Sequence, residues 1–157
     1  MTGARFIMAV SEMRLAEVVA PPLHPFLMLI PATCLTAGLL TDIAYWATVH
    51  TMWADFSAWI VSAGAVLTWI VAIAGLVELL LRRPALRGRR GMLAYALAYL
   101  AAMVFSALNM LVHTRDGWVS VVPWGLVLSM LTVIAFLVAA GATYVLVARP
   151  RSTGVYR

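Results

Sequence analysis

The chain has 157 residues, of which 64% are hydrophobic and 11% charged, with a formal net charge of +5 at pH 7 and a mean hydropathy of +0.99. Soluble domains carry about 25% charged residues, so the composition excludes a water-soluble globular protein and indicates a chain packed in lipid. All eleven basic residues are arginines clustered outside the apolar runs; this placement excludes a nucleic-acid surface, which needs a basic face on a soluble element, and marks membrane topology instead.

Residues 1–21 scatter Arg5, Glu12, Arg14 and Glu17 around every side of a projected helix. That pattern is neither an amphipathic anchor nor a secretory apolar region, so no cleavable signal peptide is expected. The segment is read as cytoplasmic or interfacial. A transmembrane domain over residues 22–147 follows, then a basic cytoplasmic tail at 148–157.

Four apolar runs fill the domain, near residues 25–49, 56–81, 92–112 and 123–147. Each is long enough to span a hydrocarbon core, which needs about 20 residues. Pro25 and Pro123 stand where helices begin, and Pro31 is expected to remove a hydrogen bond and kink the first span. The loop "RRPALRGRR" holds five arginines, and Arg149, Arg151 and Arg157 follow the fourth run. Both regions are expected on the cytoplasmic side. The predicted fold is an all-α integral membrane protein, four transmembrane helices in an up-down bundle with both termini inside.

Stripes of small residues predict the seams of the bundle: Gly64, Thr68 and Ala72; Ala94, Ala98, Ala102 and Ser106; Ala135, Ala139 and Thr143. Small residues let helices approach closely where lipid supplies no hydrophobic drive. Cys34 is the single cysteine, inside the first span, which leaves no disulfide framework and no cysteine metal motif. Trp46, Trp53, Trp59, Trp118 and Trp124 fall at the outer boundary and only Trp69 lies within a span. They read first as an aromatic belt, and second, because the belt is one-sided, as a rim that docks a partner.

Asp42 and Glu78 lie inside apolar runs, where an unpaired charge costs about 3 kcal/mol or more. Glu78 is within one helical turn of Arg82, whose side chain reads as snorkelling to pair with it. Asp42 sits near the outer end of the first span. In "NMLVHTRDGW", Asn109 and His113 continue the small-residue face of the third span and so point into the bundle at a similar depth. A cluster of Asp42, Asn109, His113 and Arg115 is therefore expected, with His50 at the rim. Asp55 reads as the N-cap of the second span, and Asp116 with Gly117 as a turn. For the cluster, structural charge pairing comes first, a proton- or quinone-linked role second, and metal or haem ligation third. His24, in "LHPF", opens the first span at its inner end, about 30 Å from His113, so the two cannot share one iron. A bis-histidine haem would have to use His50 and His113, and nothing in their spacing requires one.

The strings "HPFLMLIPATCLTAGLLTDIAYW", "WADFSAWIVSAG", "AGLVELL" and "NMLVHTRDGWVSVVPWGLVLS" resemble the bacterial membrane proteins grouped as domain of unknown function 2231, over roughly Pro22 to Val147. The resemblance implies four membrane helices in a bacterial inner membrane and a redox neighbourhood, since relatives occur joined to or encoded beside Rieske or quinoprotein dehydrogenase modules; it implies no reaction. It further implies inner-side histidines at three places. Here His24 fills the first, Ala94 stands at the second, and the tail has none, so an inner haem or metal site would lack most of its ligands, and His24 reads as structural. The outer cluster matches the family pattern better.

Two functional classes follow. The first is a non-catalytic membrane subunit of a larger redox or energy-converting assembly, whose partners are the lipid bilayer and other membrane or periplasmic subunits, with Trp46, Trp53, Trp118, Trp124, His24, Glu78 and Arg82 as structural or interface residues. The second is an electron or proton carrier binding haem b, another porphyrin or a quinone at His113, Asn109, Asp42, His50 and Arg115, though no cofactor is required by the sequence. A transporter is weaker, for want of an inverted repeat. Enzymatic hydrolysis is weaker still, for want of a nucleophile triad or an HExxH motif.

Overall fold

The computed structural model describes residues 27–82, 89–115 and 121–148. The N-terminal segment, His24, most of the arginine loop, Asp116, Gly117, Trp118 and the tail beyond Ala148 lie outside them. The described residues form four long helices: α1 (Leu29–Thr48), α2 (Thr51–Arg82), α3 (Arg89–His113) and α4 (Leu126–Ala148). All four are long and apolar enough to cross a membrane. They pack up and down as two hairpins: α1 lies most extensively against α2 and α3 against α4, while α2–α3 and α1–α4 contacts close the ring. One end carries the α1–α2 turn and four of the tryptophans, and is called here the tryptophan end. At the opposite end, the arginine end, α2 closes at Arg82 and α3 opens at Arg89.

The helices begin and end for local reasons, and several differ from the sequence expectation. Pro31 does not interrupt α1, which runs unbroken from Leu29 to Thr48. The proline is buried in the first turn, where backbone N–H groups have no partner within the helix, so its missing N–H costs nothing; the Ala32 N–H already donates to the Met28 carbonyl at 3.2 Å. Only Val49 and His50 separate α1 from α2. Val49 takes a left-handed backbone (φ 56°), unusual for a β-branched residue, and its N–H caps the Tyr45 carbonyl at 2.7 Å. Because α2 starts at Thr51, Asp55 is not its N-cap but an exposed residue in the second turn. Before α4 the chain makes a wide turn, Val121–Gly125, with Val122 extended (φ −121°, ψ 130°) ahead of Pro123, as the proline ring requires of its predecessor. That turn packs against α1 and α3.

Burial is inverted relative to a soluble bundle. Large apolar side chains such as Leu40, Ile73, Leu137 and Trp59 point outward, towards lipid as apolar as they are, while small and polar residues fill the seams. Gly64, Thr68, Ala98, Ala102, Ser106, Ala135 and Ala139 are buried as expected from the stripes, Ala72 and Thr143 are half-buried, and Ala94 is exposed. Ala94 fails because steps of four residues drift about 40° per step around a helix of 3.6 residues per turn, and two steps from buried Ala102 carry it off the seam.

The core divides by depth. Towards the arginine end it is apolar and aromatic, built on Leu35, Val71, Ala98, Tyr99, Phe136 and Ala139, with the Tyr99 and Phe136 rings edge to face at 6.1 Å. Towards the tryptophan end it is polar: Asp42, Ser57, Ser106, Asn109, His113, Ser129 and Thr132 are all buried. Hydroxyls on the spans satisfy themselves locally, Thr33, Thr36, Thr68 and Thr143 each donating to the carbonyl four residues back, the economical solution where no water is at hand.

Candidate functional site

One carboxylate gathers all four helices. Asp42 projects from α1, fully buried, six residues before the helix ends at Thr48. Its Oδ1 accepts a hydrogen bond from the Ser57 hydroxyl of α2, and its Oδ2 accepts one from the Ser129 hydroxyl of α4. His113, the last residue of α3, places Nε2 2.9 Å from Asp42 Oδ1. Asn109, one turn earlier on α3, donates from Nδ2 to Ser129 Oγ at 2.8 Å, so a chain of hydrogen bonds runs from Asn109 through Ser129 to the carboxylate.

The protonation of the pair follows from the partners. His113 Nδ1 lies 2.9 Å from the Asn109 carbonyl oxygen, which can only accept, so Nδ1 carries a hydrogen. Nε2 and Asp42 Oδ1 then need a proton between them. Whether it is written on the ring, giving an ion pair, or on the carboxyl, giving a neutral pair, the sum of charge is zero. An overall neutral pair, hydrogen-bonded on every side, is the form in which two ionisable groups are tolerated at membrane depth.

The structure thus brings together Asp42 and His113, and attaches Asn109 through Ser129 and through its own carbonyl. It does not bring in Arg115, which lies beyond the end of α3, exposed, and is not among the groups bonded to Asp42. His50 is exposed on the α1–α2 turn, at the rim as expected, its backbone N–H donating to the Thr48 hydroxyl at 3.4 Å, and it does not join the cluster. Ser57 and Ser129 are the members sequence reasoning missed. Among the described residues no group of three or more histidine, cysteine or acidic side chains has a metal-binding arrangement.

The remaining expected residues spread over the surface. Trp46, Trp59 and Trp124 are exposed, Trp53 is half-buried with its ring 6.3 Å from that of Phe56, and all four lie towards the same end of the bundle. Glu78 is half-buried one turn before Arg82 closes α2. His24 and Trp118 lie outside the described residues.

Four apolar spans around an interior polar junction define a multi-pass helical membrane protein in contact with the lipid bilayer. The chain matches the family described as "Predicted membrane protein (DUF2231)" over residues 20–150, and belongs to that family. No curated protein and no solved structure is similar to it.

Proposed function

We propose that the chain is a non-catalytic integral membrane subunit of a larger redox or energy-converting assembly in the bacterial inner membrane. The observation that carries this reading is the internal saturation of the Asp42–His113 junction. Both oxygens of the carboxylate and both ring nitrogens of His113 are engaged by groups of the chain itself. A junction of this kind holds helices in place and offers nothing to a substrate. What the molecule does offer is surface: lipid-facing spans and a one-sided rim of Trp46, Trp53, Trp59 and Trp124, aromatic residues being favoured both at the membrane interface and in protein contacts.

The competing reading, a haem- or quinone-linked carrier at the same cluster, draws support from the burial of an aspartate beside an imidazole. Haem ligation, however, needs a free ring nitrogen, and His113 would have to surrender either Asp42 or the Asn109 carbonyl to provide one. His50 alone cannot hold a bis-histidine haem. The absorption spectrum of the chain purified from its own membranes separates the readings. A featureless visible region is expected, and a Soret band that shifts on reduction would replace the subunit by the carrier.

The arginine distribution supports an orientation with both termini cytoplasmic and the tryptophan end outside. A reporter fused after Arg157 is expected to be active only as a cytoplasmic fusion; strong periplasmic activity would invert the bundle and put His113 on the cytoplasmic side.

A further inference from the structure

We infer that Asn109 Oδ1 binds a buried water molecule in a polar layer between α3 and α4, one tier below the Asp42–His113 pair. Asn109 is fully buried, and its Oδ1 has no hydrogen-bond partner among the described residues. Rotation of the amide does not relieve this. The Ser129 hydroxyl has one proton and gives it to Asp42 Oδ2, so Ser129 Oγ faces Asn109 as an acceptor, and only the amide NH2 can meet it. The network itself fixes Oδ1 on the unpartnered side, at a depth where lipid supplies no donor.

The surroundings fit water better than any ion. Asn109 and Ser129 meet across antiparallel helices, so Ser106, one turn back on α3, and Thr132, one turn on along α4, occupy the next tier on the same faces. Both are fully buried. Their hydroxyl protons are already spent on their own helices, Ser106 on the Met103 carbonyl at 3.1 Å and Thr132 on the Leu128 carbonyl at 2.7 Å. The tier therefore presents neutral acceptors and lacks a donor. A cation would bring a charge that no group in the tier balances, whereas a water brings two protons, one for Asn109 Oδ1 and one for a hydroxyl oxygen of Ser106 or Thr132. Ala102 and Ala135, a further turn away and buried, add no bulk beneath it.

The test uses the whole chain in lipid nanodiscs. A density map fine enough to order solvent is expected to show one spherical peak within hydrogen-bonding distance of Asn109 Oδ1. Infrared difference spectra between H2-16O and H2-18O are expected to show an isolated O–H stretch that disappears in Asn109→Leu and shifts or disappears in the double variant Ser106→Ala/Thr132→Val. That double variant keeps Asn109 and the Asp42 network, so it decides the question even if Asn109→Leu does not fold. An amide rotated to take the Ser129 proton with no peak beside it, an elongated peak too large for water, or an isotope band unmoved by the double variant would each overturn the inference.

Discussion

Replacing Asp42 with leucine is expected to cost the bundle about 3–5 kcal/mol, the range seen when one partner of a buried charged pair is removed. Leucine fills the space but takes the hydrogen-bond partner from three side chains on three different helices: Ser57 on α2, His113 on α3 and Ser129 on α4. The milder pair Asp42→Asn and His113→Gln isolates one arm of this junction. Each single variant leaves a polar group facing an altered partner in a buried site. The double variant removes both ends together, so it should lose less stability than the two single losses added. Polar pairs in membrane bundles couple by about 0.5–2 kcal/mol, and a double-mutant cycle on unfolding in detergent reads that difference directly. Additive losses would mean that the contact is energetically idle and that the helices are held by packing alone. Following recovery of co-purifying proteins in the same variants distinguishes a clasp within the subunit from a junction on which assembly depends.

The spans were legible in the sequence because the thickness of a bilayer dictates run length, and few soluble patterns imitate four such runs. The Asp42–His113 contact was legible for a related reason: a lone acid in an apolar run demands a partner, and His113 is the residue that continues the Ser106 and Asn109 face at the right depth. The serines were not legible, since a serine in a membrane helix normally bonds to its own backbone and carries no mark of a distant partner. One signal was available. Ser57 lies six residues after Thr51, as Asp42 lies six before Thr48, so a tight α1–α2 hairpin places the two side by side. Arg115 misled for the opposite reason. It is close to His113 in sequence, but two residues turn a helix by about 200°, and the helix has already ended. Likewise the N-cap reading of Asp55 assumed that α2 starts where the apolar run starts, whereas it begins at Thr51, immediately after the tight turn.

Gly38→Ala is expected to destabilise the α1–α2 hairpin by about 1–3 kcal/mol, the usual cost of overpacking a filled interior, and Gly38→Leu by more. A Cβ built on Gly38 would stand 2.6 Å from Cγ2 of Val61, and one on Gly64 would stand 2.7 Å from Cγ of Leu35. The two glycines are thus reciprocal notches, each receiving a side chain from the other helix. Val61 is fully buried and β-branched, with few rotamers open to it, so the backbones must separate to admit a methyl group. Gly141 supplies the control, since nothing lies within 4 Å of its built Cβ; Gly141→Ala should be neutral or stabilise by up to about 1 kcal/mol through helix propensity alone. Adding Val61→Ala to Gly38→Ala removes the colliding methyl and should leave the double variant close to Val61→Ala alone. The consequence reaches the junction, because Gly38 is one turn from Asp42 and Val61 one turn from Ser57. Forcing α1 and α2 apart at the notch also draws the Ser57 hydroxyl away from the carboxylate. Gly38→Ala and Asp42→Asn should therefore be non-additive, whereas Gly141→Ala and Asp42→Asn should add. Equal thermal unfolding of Gly38→Ala and Gly141→Ala would show that the close approach of α1 and α2 is not what sets the spacing at Asp42.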